Sequence, residues 1–404
     1  MRTFLEARGL EADRIRPVQA LYRPGRSMLV RYAVGARGAD GAARAPIVSA
    51  EVRRRPRDPA APPEGVASRF PVPDPVDRVG SVLVWAYPFD PAIPELPDAG
   101  WGPELARADL WEEARPAGVA TTLLRYRPTR RAVFRAVAIG RGLRRVRYVK
   151  AVPPATGTRL RWSTQTLRAS LGRASLRFGL PTAELGDSIF TVPQVAGRSL
   201  RALLLAGGTL PAPKRVAGVV RQLAALPLRD APNAGIDAGG LIEHVDGLLP
   251  ALLPERALEI GATLERIAEA SATAPRRRAW IHGDLYDDQI LVGDDHSLGV
   301  IDLDRAGAGD PAMDAANLTA HLVALAASSP AARPRLLAYR ELLRDELLIL
   351  LDLAPEDLAW REALVMLAMA AGPFRVLHPD WPAQVAGRVD LASSLLGPTL
   401  SRAA

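Results

Sequence analysis

The sequence predicts an α+β chain in which antiparallel sheets come first and a mostly helical half follows. Before about residue 200, short alternating apolar runs flank turn residues such as Pro24-Gly25, a pattern typical of β-hairpins. From Pro213 onward, apolar residues recur at helical spacing between Pro and Gly breaks. A further hairpin interrupts this helical half where apolar runs flank the polar turn at 293–297.

The composition narrows the class of protein. With 404 residues, 48% of them hydrophobic, the chain can bury one large core or two to three smaller ones. No apolar run approaches the length that spans a bilayer, and the N-terminus lacks the apolar core of a signal peptide. The absence of cysteine excludes disulfides and thiolate metal sites. We therefore expect a globular, cytoplasmic protein without a membrane partner.

The charge balance is basic, with a formal net charge of +8. Such a surplus favours anionic partners in general. However, no aromatic residues are interleaved with a basic stripe, as they are in proteins that bind single-stranded nucleic acid. We therefore expect scattered surface charge and no nucleic-acid partner.

The first predicted sheet is built from short strands in the first hundred residues. Residues 17–35 form a hairpin around Pro24-Gly25, and residues 46–54 offer a third strand. A Pro-rich loop follows, and Ser81–Tyr87 is a further strand. This order of hairpin, third strand, loop and later strand then recurs along the chain.

The recurrence is marked by Tyr-Arg-Pro-x-Arg at Tyr22–Arg26 and again at Tyr126–Arg130. After the second copy come a third strand, Arg144 to Val152, and a further strand, Ser188 to Val195. We interpret residues 17–100 and 118–200 as two copies of one small sheet unit. The alternative is a chance similarity between Arg-rich hairpins.

Lysine is rare, and its two positions differ in character. Lys150 ends the third strand of the second copy, whereas Lys214 starts a helix and is expected to be a solvated surface residue. In the first copy, Arg53, Arg54 and Arg55 are expected at the place comparable to Lys150. We also expect the first copy to pack as a cap that buries the apolar face of its strands, including Val82, Val84 and Leu29.

The helical half shows regular apolar spacing between Pro and Gly breaks. Asp310 and Asp314 precede the first helix after the hairpin, so N-capping would explain either of them. The predicted helices are Val216–Leu226, Leu241–Leu253, Ala257–Ala268, Ala315–Ala327, Pro334–Leu351, Pro355–Ala371 and Trp381–Leu396.

The stretch from Trp280 to Asn317 carries the chemistry. Its hairpin would bring Asp284, Gln289 and Asp302 to one side of a short ribbon. Two carboxylates and an amide oxygen suit the binding of magnesium on a phosphate while one carboxylate receives a hydroxyl proton. The alternative is an ordinary acidic hairpin.

This stretch resembles the catalytic core of the aminoglycoside phosphotransferase and choline kinase family, which shares the protein-kinase fold. In that family the loop reads His-x-Asp-x-x-x-x-Asn, and a later Asp at the end of a hairpin holds the metal. The resemblance implies that Asp284 is the catalytic base, that Asp302 is a magnesium ligand, and that Gln289 occupies the Asn position. It also implies that His282 is a buried residue that steadies the loop. Gly309-Asp310-Pro311-x-x-Asp314 matches a further element of the family.

The resemblance also assigns the nucleotide side of the site. The second sheet copy would be the N-lobe, with Lys150 on the α- and β-phosphates of ATP. Residues 191–195 would form the hinge, where the backbone at Gln194 and Val195 meets the adenine edge. Kinases of this fold pair the strand lysine with an acid on the next helix, but residues 151–183 contain none. The open alternatives for that partner are Thr164, Gln165, Glu184 and Asp187.

The implied architecture is a bilobal protein-kinase-like fold with an additional N-terminal sheet unit. Residues 1–115 would be a cap unit resembling a second N-lobe, 116–200 the N-lobe with its antiparallel sheet, and 201–404 the mostly helical C-lobe with the catalytic loop. The expected partner is a small-molecule hydroxyl acceptor, such as a sugar, amino sugar or aminoglycoside-like compound, with ATP and Mg²⁺ as cofactors.

Two other functions remain open. A catalytically inactive, kinase-like regulatory protein would account for Gln289 and for the missing helix acid. A metal-dependent hydrolase would need more histidines than the five in the chain.

Overall fold

The computed structural model describes residues 1–55, 75–107, 111, 116–140, 145–169, 176–228 and 231–397. The Pro-rich loop predicted after the third strand lies largely outside the described residues. The chain forms two compact units. The first contains residues 1–158, 181–194 and 374–379, and the second contains 159–180, 195–373 and 380–404.

The first unit opens with an antiparallel sheet that forms from the alternating apolar runs. Its elements are α1 (Arg2–Glu6), β1 (Leu10–Arg23), β2 (Ser27–Gly38), β3 (Ala43–Arg44), β4 (Ile47–Arg53), β5 (Val76–Val79), β6 (Val82–Ala86), α2 (Leu96–Ala99) and α3 (Gly102–Arg107). The strand order is β1-β2-β4-β6-β5, with β3 paired to β2, and every pair is antiparallel.

A second sheet in the same unit repeats this order. Its strands are β7 (Gly118–Arg127), β8 (Arg131–Ile139), β9 (Arg145–Ala151), β11 (Ala183–Leu185) and β12 (Ile189–Pro193). Between β9 and β11 the chain forms α4 (Pro154–Arg168), most of which belongs to the second unit, and β10 (Arg177–Phe178), which belongs to it entirely. With β10 paired elsewhere, the order is β7-β8-β9-β12-β11. When β3 and β10 are left out of the count, the first two strands of each sheet form a hairpin that lies beside the third strand. The fifth strand then lies between the third and the fourth, so both sheets have the same strand order, as the repeat predicts.

The two hairpin turns also agree in detail. In the first, Tyr22 pairs with Met28, and in the second, Tyr126 pairs with Ala132. Gly25 and Thr129 hold the same position in the two turns and have φ values of +66° and +61°. Glycine adopts this left-handed conformation readily, whereas threonine seldom does. The second turn therefore has the same geometry as the first, although threonine at this position disfavours it.

The register corrects one expectation from the sequence. Leu29 and Val133 each lie seven residues after the turn tyrosine, and they pair with Glu51 and Lys150 respectively. The counterpart of Lys150 in the first sheet is therefore Glu51, and the expectation that Arg53–Arg55 take this place was wrong. Glu51 is buried and forms an ion pair with Arg53 at 2.8 Å between Oε2 and Nε.

The apolar residues of the first sheet lie on both of its faces. Val84 packs with Phe4 and Leu5 of α1, and Val82 lies against the same cluster. Leu29 belongs to a separate cluster with Trp85. The expectation that Val82, Val84 and Leu29 share one buried face was therefore wrong, because side chains of neighbouring strand residues alternate between faces.

The segment that links the two sheets packs on the second one. Ile93 and Leu96 share a core with Phe134 and Ile189. The Thr121 hydroxyl donates to the Gly100 carbonyl at 2.8 Å. One face of the second sheet is thereby covered by the linking segment.

The second unit is mostly helical and contains the predicted hairpin. The predicted helices are confirmed, with shifts of a few residues at their ends. Its further elements are β13 (Arg198–Ser199), α5 (Leu200–Ala206), α6 (Pro213–Ala224), α7 (Ala238–Leu252), α8 (Ala257–Thr273), β14 (Ala279–Ile281), β15 (Ile290–Val292), β16 (Leu298–Val300), β17 (Gly307–Gly309), α9 (Pro311–Ala327), α10 (Arg333–Leu351), α11 (Pro355–Ala370), α12 (Gly372–Arg375) and α13 (Trp381–Leu396).

Within the second unit, the hairpin β15–β16 lies between β13 and β10 in one small sheet, and β14 pairs with β17 in another. Across the part of the chain that the structure describes, no helix is long and apolar enough to cross a membrane.

Candidate active site

The β15–β16 hairpin brings Gln289 and Asp302 together. Gln289 directly precedes β15, and Asp302 follows the end of β16 by two residues. The Ile301 amide donates to the Gln289 carbonyl at 3.1 Å, which extends the ladder to the open end of the hairpin. The Gln289 side-chain amide then donates to Asp302 Oδ2 at 3.3 Å. The hairpin predicted from the sequence therefore places these two side chains in contact.

Asp284 lies in the loop between β14 and β15 and is half-buried. Its electrostatic environment overlaps with that of Asp302. The pKa of Tyr286 is raised, first by burial and then by the carboxylates of Asp284 and Asp302, with Asp288 contributing as well. The carboxylates of Asp284 and Asp302 are thus both close enough to the Tyr286 hydroxyl to raise its pKa, as expected if they belong to one site.

The donor set fits magnesium with a nucleotide present. Among the described residues, no group of three or more His, Cys, Asp or Glu side chains could hold a metal alone. Mg²⁺ is usually held by one or two carboxylates together with phosphate oxygens and water. Asp302 supplies a carboxylate, and Gln289 supplies an amide whose oxygen and nitrogen can exchange places by rotation. These side chains could therefore complete a magnesium shell only with substrate oxygens.

Asp314 holds the backbone of the loop that carries Asp284. Its Oδ2 accepts from the His282 amide at 2.6 Å, and its Oδ1 accepts from the Gly283 amide at 2.9 Å. Burial raises the pKa of Asp314, while His282 and these two amides oppose that shift. The expectation that capping explains Asp314 was therefore wrong. Asp310 does cap α9, because it accepts from the Ala312 amide at 3.1 Å.

His282 connects the loop to the hairpin. Its side chain is fully buried, and Nε2 lies 2.9 Å from the carbonyl oxygen of Ile301, the neighbour of Asp302. One hydrogen bond thus links the segments that carry Asp284 and Asp302. This placement agrees with the steadying role that the resemblance implies.

Gly283 is required by the backbone at this point. Its φ is +75°, and a Cβ would lie 2.4 Å from the carbonyl oxygen of Arg305. Any side chain here would combine a strained conformation with a backbone clash. The close approach of the two segments therefore depends on glycine.

Three polar contacts of the site could not be predicted from any pattern in the sequence. Arg305 Nη1 lies 3.8 Å from Asp284 Oδ1. Asn317 donates to the Leu285 carbonyl at 2.7 Å, and Arg201 forms a two-pronged ion pair with buried Asp287 at 2.7 and 3.3 Å. Arginine is so common in this chain that neither Arg201 nor Arg305 stands out, and only the tertiary structure selects them.

The residues predicted for the nucleotide lie on both sides of the division between the units. Lys150 lies on β9 between Val133 and Phe190 in the first unit. Strand β12 ends at Pro193, and the division falls between exposed Gln194 and half-buried Val195. Of the hinge predicted at residues 191–195, the first three residues therefore end β12, and Gln194 and Val195, the two predicted to meet the adenine, lie just beyond the strand.

The structure distinguishes one of the four residues that the sequence left open as a partner of Lys150. Glu184 pairs with Phe190, which pairs with Lys150, so Glu184 is in the same cross-strand row. Thr164 is buried in α4, and Gln165 is exposed on it. Of the four, Glu184 alone shares the cross-strand row of Lys150.

The chain is similar to a known protein family and to solved structures. The phosphotransferase enzyme family model (APH) matches residues 127–348, more than half of the chain. A thermostable mutant of aminoglycoside phosphotransferase APH(4)-Ia is similar in structure, with 15% identity and a TM-score of 0.50 over 69% of this chain and 96% of that one. Choline kinase LicA from Streptococcus pneumoniae has 14% identity and a TM-score of 0.47 over 69% of this chain and 92% of that one.

No curated protein sequence matches the chain. The family match begins at the last residue of β7 and covers β8, β9, β11 and β12 of the second sheet, the loop that carries Asp284 and the β15–β16 hairpin. The structural likeness is to the protein-kinase-like fold. The chain therefore belongs to the phosphotransferase enzyme family.

Proposed function

We propose that this protein transfers the γ-phosphoryl group of ATP to a hydroxyl of a small molecule. The observation that supports it most is the joint placement of Gln289 and Asp302, 3.3 Å apart, beside the loop that carries Asp284. Phosphoryl transfer through a loose transition state needs mainly positioning and charge neutralisation. The side chains at this hairpin are of the types that meet both needs.

Asp284 acts as the proton acceptor in this proposal. The acceptor oxygen forms a bond to the γ-phosphorus, the bond from that phosphorus to the β–γ bridging oxygen breaks, and the hydroxyl proton goes to the Asp284 carboxylate. ADP leaves with the bridging oxygen. Arg305 Nη1 lies 3.8 Å from Asp284 Oδ1 and places a positive charge beside this carboxylate.

Asp302 and Gln289 are the residues that would hold magnesium. When bound, the ion would neutralise charge on the nucleotide phosphates. The chain contributes the carboxylate and amide oxygens and their orientation. His282 and Asp314 fix that orientation through the backbone.

Lys150 is assigned to the α- and β-phosphates. Replacing it with alanine is expected to raise the dissociation constant of ADP about tenfold or more, because hydrogen bonds to charged groups contribute roughly 1.5–3 kcal/mol. Titration calorimetry measures this directly. Lys214→Ala is the matched control, since Lys214 is exposed at the start of α6. Equal affinities of the two variants would remove Lys150 from the nucleotide site.

The acceptor is tested by ADP release in the presence of magnesium, with sugars, amino sugars, aminoglycosides and amino alcohols as separate additions. An increase over the acceptor-free rate with one of these classes is the expected result. The second candidate, an inactive regulatory module, is favoured by Gln289 and by the lack of an acid in residues 151–183. It predicts nucleotide binding without any acceptor-dependent ADP release.

A further inference from the structure

The turn between β7 and β8 differs from a phosphate loop in a way that changes its chemistry. In protein kinases, the hairpin ahead of the lysine strand carries a Gly-rich loop that covers the phosphates. Here the corresponding turn reads Arg127-Pro128-Thr129-Arg130. The idea that this turn lies near a nucleotide rests on the proposed function, whereas the structure of the turn does not depend on that proposal.

The tip of this turn has no backbone donor left for a ligand. Pro128 lacks an N–H group. The Thr129 amide donates to Asp90 Oδ2 at 2.6 Å, and the Arg130 amide donates to the Arg127 carbonyl at 3.0 Å. A cradle of backbone amides is therefore excluded at these three positions, and any anion here must be bound by side chains.

A buried network keeps the Thr129 amide occupied. Asp90 lies in the segment that links the two sheets and is only 2% exposed. It also accepts from the Tyr126 hydroxyl at 2.9 Å and from the Ala92 amide at 2.9 Å. Trp85 of the first sheet donates to the same tyrosine oxygen at 3.0 Å. The N-terminal sheet and its linking segment thus hold this turn in place.

Arginine side chains surround the turn on the Lys150 face of the sheet. Arg127 pairs with Arg131, Arg125 pairs with Val133, and Val133 pairs with Lys150. Paired residues of antiparallel strands point to the same face, and residues two apart on a strand share it. Arg125, Arg127 and Arg131 therefore project from the same face as Lys150, and the opposite face is covered by the linking segment.

The environment of Arg127 is unusually rich in cations. Its side chain is half-buried. Its pKa is lowered to about 10, first by burial and then by Arg125, Arg131, Arg130 and Arg375. Guanidinium groups that lie close together repel one another, and a bound anion would offset this repulsion.

We propose that Arg125 and Arg127 form a binding site for a phosphate group on the Lys150 face of the second sheet, in place of a backbone phosphate loop. Guanidinium groups suit this ligand because their planar donors contact two phosphate oxygens at once. The phosphate belongs either to the nucleotide or to a phosphorylated acceptor.

The chain contains its own control for the test. Arg23 holds the position of Arg127 in the first sheet, and it is exposed. The first sheet carries Glu51 in place of Lys150, so its turn is not expected to bind phosphate. Arg127→Gln and Arg23→Gln therefore remove the same charge from equivalent turns.

The experiment measures dissociation constants of adenosine, ADP and inorganic phosphate by calorimetry for the wild type, both variants and Arg125→Gln. We expect Arg127→Gln to weaken ADP binding at least about tenfold, with adenosine unchanged and Arg23→Gln like the wild type. If Arg127→Gln unfolds, exposed Arg125→Gln supplies the same comparison, and thermal melting shows which case applies.

The outcomes separate the two sources of phosphate. Weaker ADP binding assigns the site to the nucleotide. Unchanged ADP binding, combined with weaker inorganic phosphate binding and a raised KM for a sugar phosphate, assigns it to a phosphorylated acceptor. Equal phosphate and ADP affinities in Arg127→Gln and Arg23→Gln would overturn the inference. A wild type that binds inorganic phosphate through Arg127 but no adenine nucleotide would contradict the proposed function alone.

Discussion

Replacing Asp302 with asparagine is expected to abolish magnesium-dependent phosphoryl transfer and to leave the fold intact. The substitution removes the carboxylate charge that would hold the ion and keeps the shape of the side chain. Asp302 has a φ of +65°, a left-handed conformation that asparagine tolerates as well as aspartate. The loss should therefore come from the missing charge and not from backbone strain.

The measurement is ADP release across a magnesium titration, together with the magnesium dependence of ADP affinity. Asp294→Asn is the matched control, because Asp294 lies exposed in the turn of the same hairpin. The control should behave like the wild type in both assays. Wild-type turnover by the Asp302→Asn protein at saturating magnesium would refute the metal assignment.

Replacing Asp284 with asparagine is expected to lower the turnover rate by about 10²–10⁴-fold, the range typical of general-base catalysis. Nucleotide affinity should stay nearly unchanged, because the proposed role of Asp284 is to accept a proton from the acceptor hydroxyl. Asparagine keeps the size of the side chain, and the amides of His282 and Gly283 remain bonded to Asp314. The loop should therefore keep its path.

Single-turnover ADP formation separates the chemical step from binding. Asp288→Asn serves as the control, since it removes the same charge from the same loop and Asp288 has no assigned role in the transfer. A variant at Asp284 that loses nucleotide affinity but keeps its chemical rate would make Asp284 a binding residue and require a different base.

Much of the site could be predicted because its signals are local. The apolar runs on either side of residues 293–297 can pair only as a hairpin, and that hairpin places Gln289 next to Asp302. The helices after Pro213 follow from apolar spacing in the same way. In each case the physical cause, a turn or a periodic face, lies within about twenty residues of sequence.

Asp314 shows where such reasoning stops. An aspartate near the start of a helix has the same local pattern whether it caps that helix or turns toward a distant loop. Its actual partners, the amides of His282 and Gly283, lie about thirty residues earlier in the chain. Packing of α9 against the loop decides between these uses, and no local pattern records that packing.

The sequence by itself determined the order of sheets and helices, the repeated turn, the family resemblance and the hairpin that places Gln289 next to Asp302. The tertiary structure decided which residues pair across strands and which distant side chains contact each other. It placed Glu51 at the position predicted for an arginine, because composition does not reveal a shift of two residues along a strand. It also selected Arg305 and Arg127 from the 52 basic residues. Strand register and long-range packing set these contacts, and both arise only when distant segments meet.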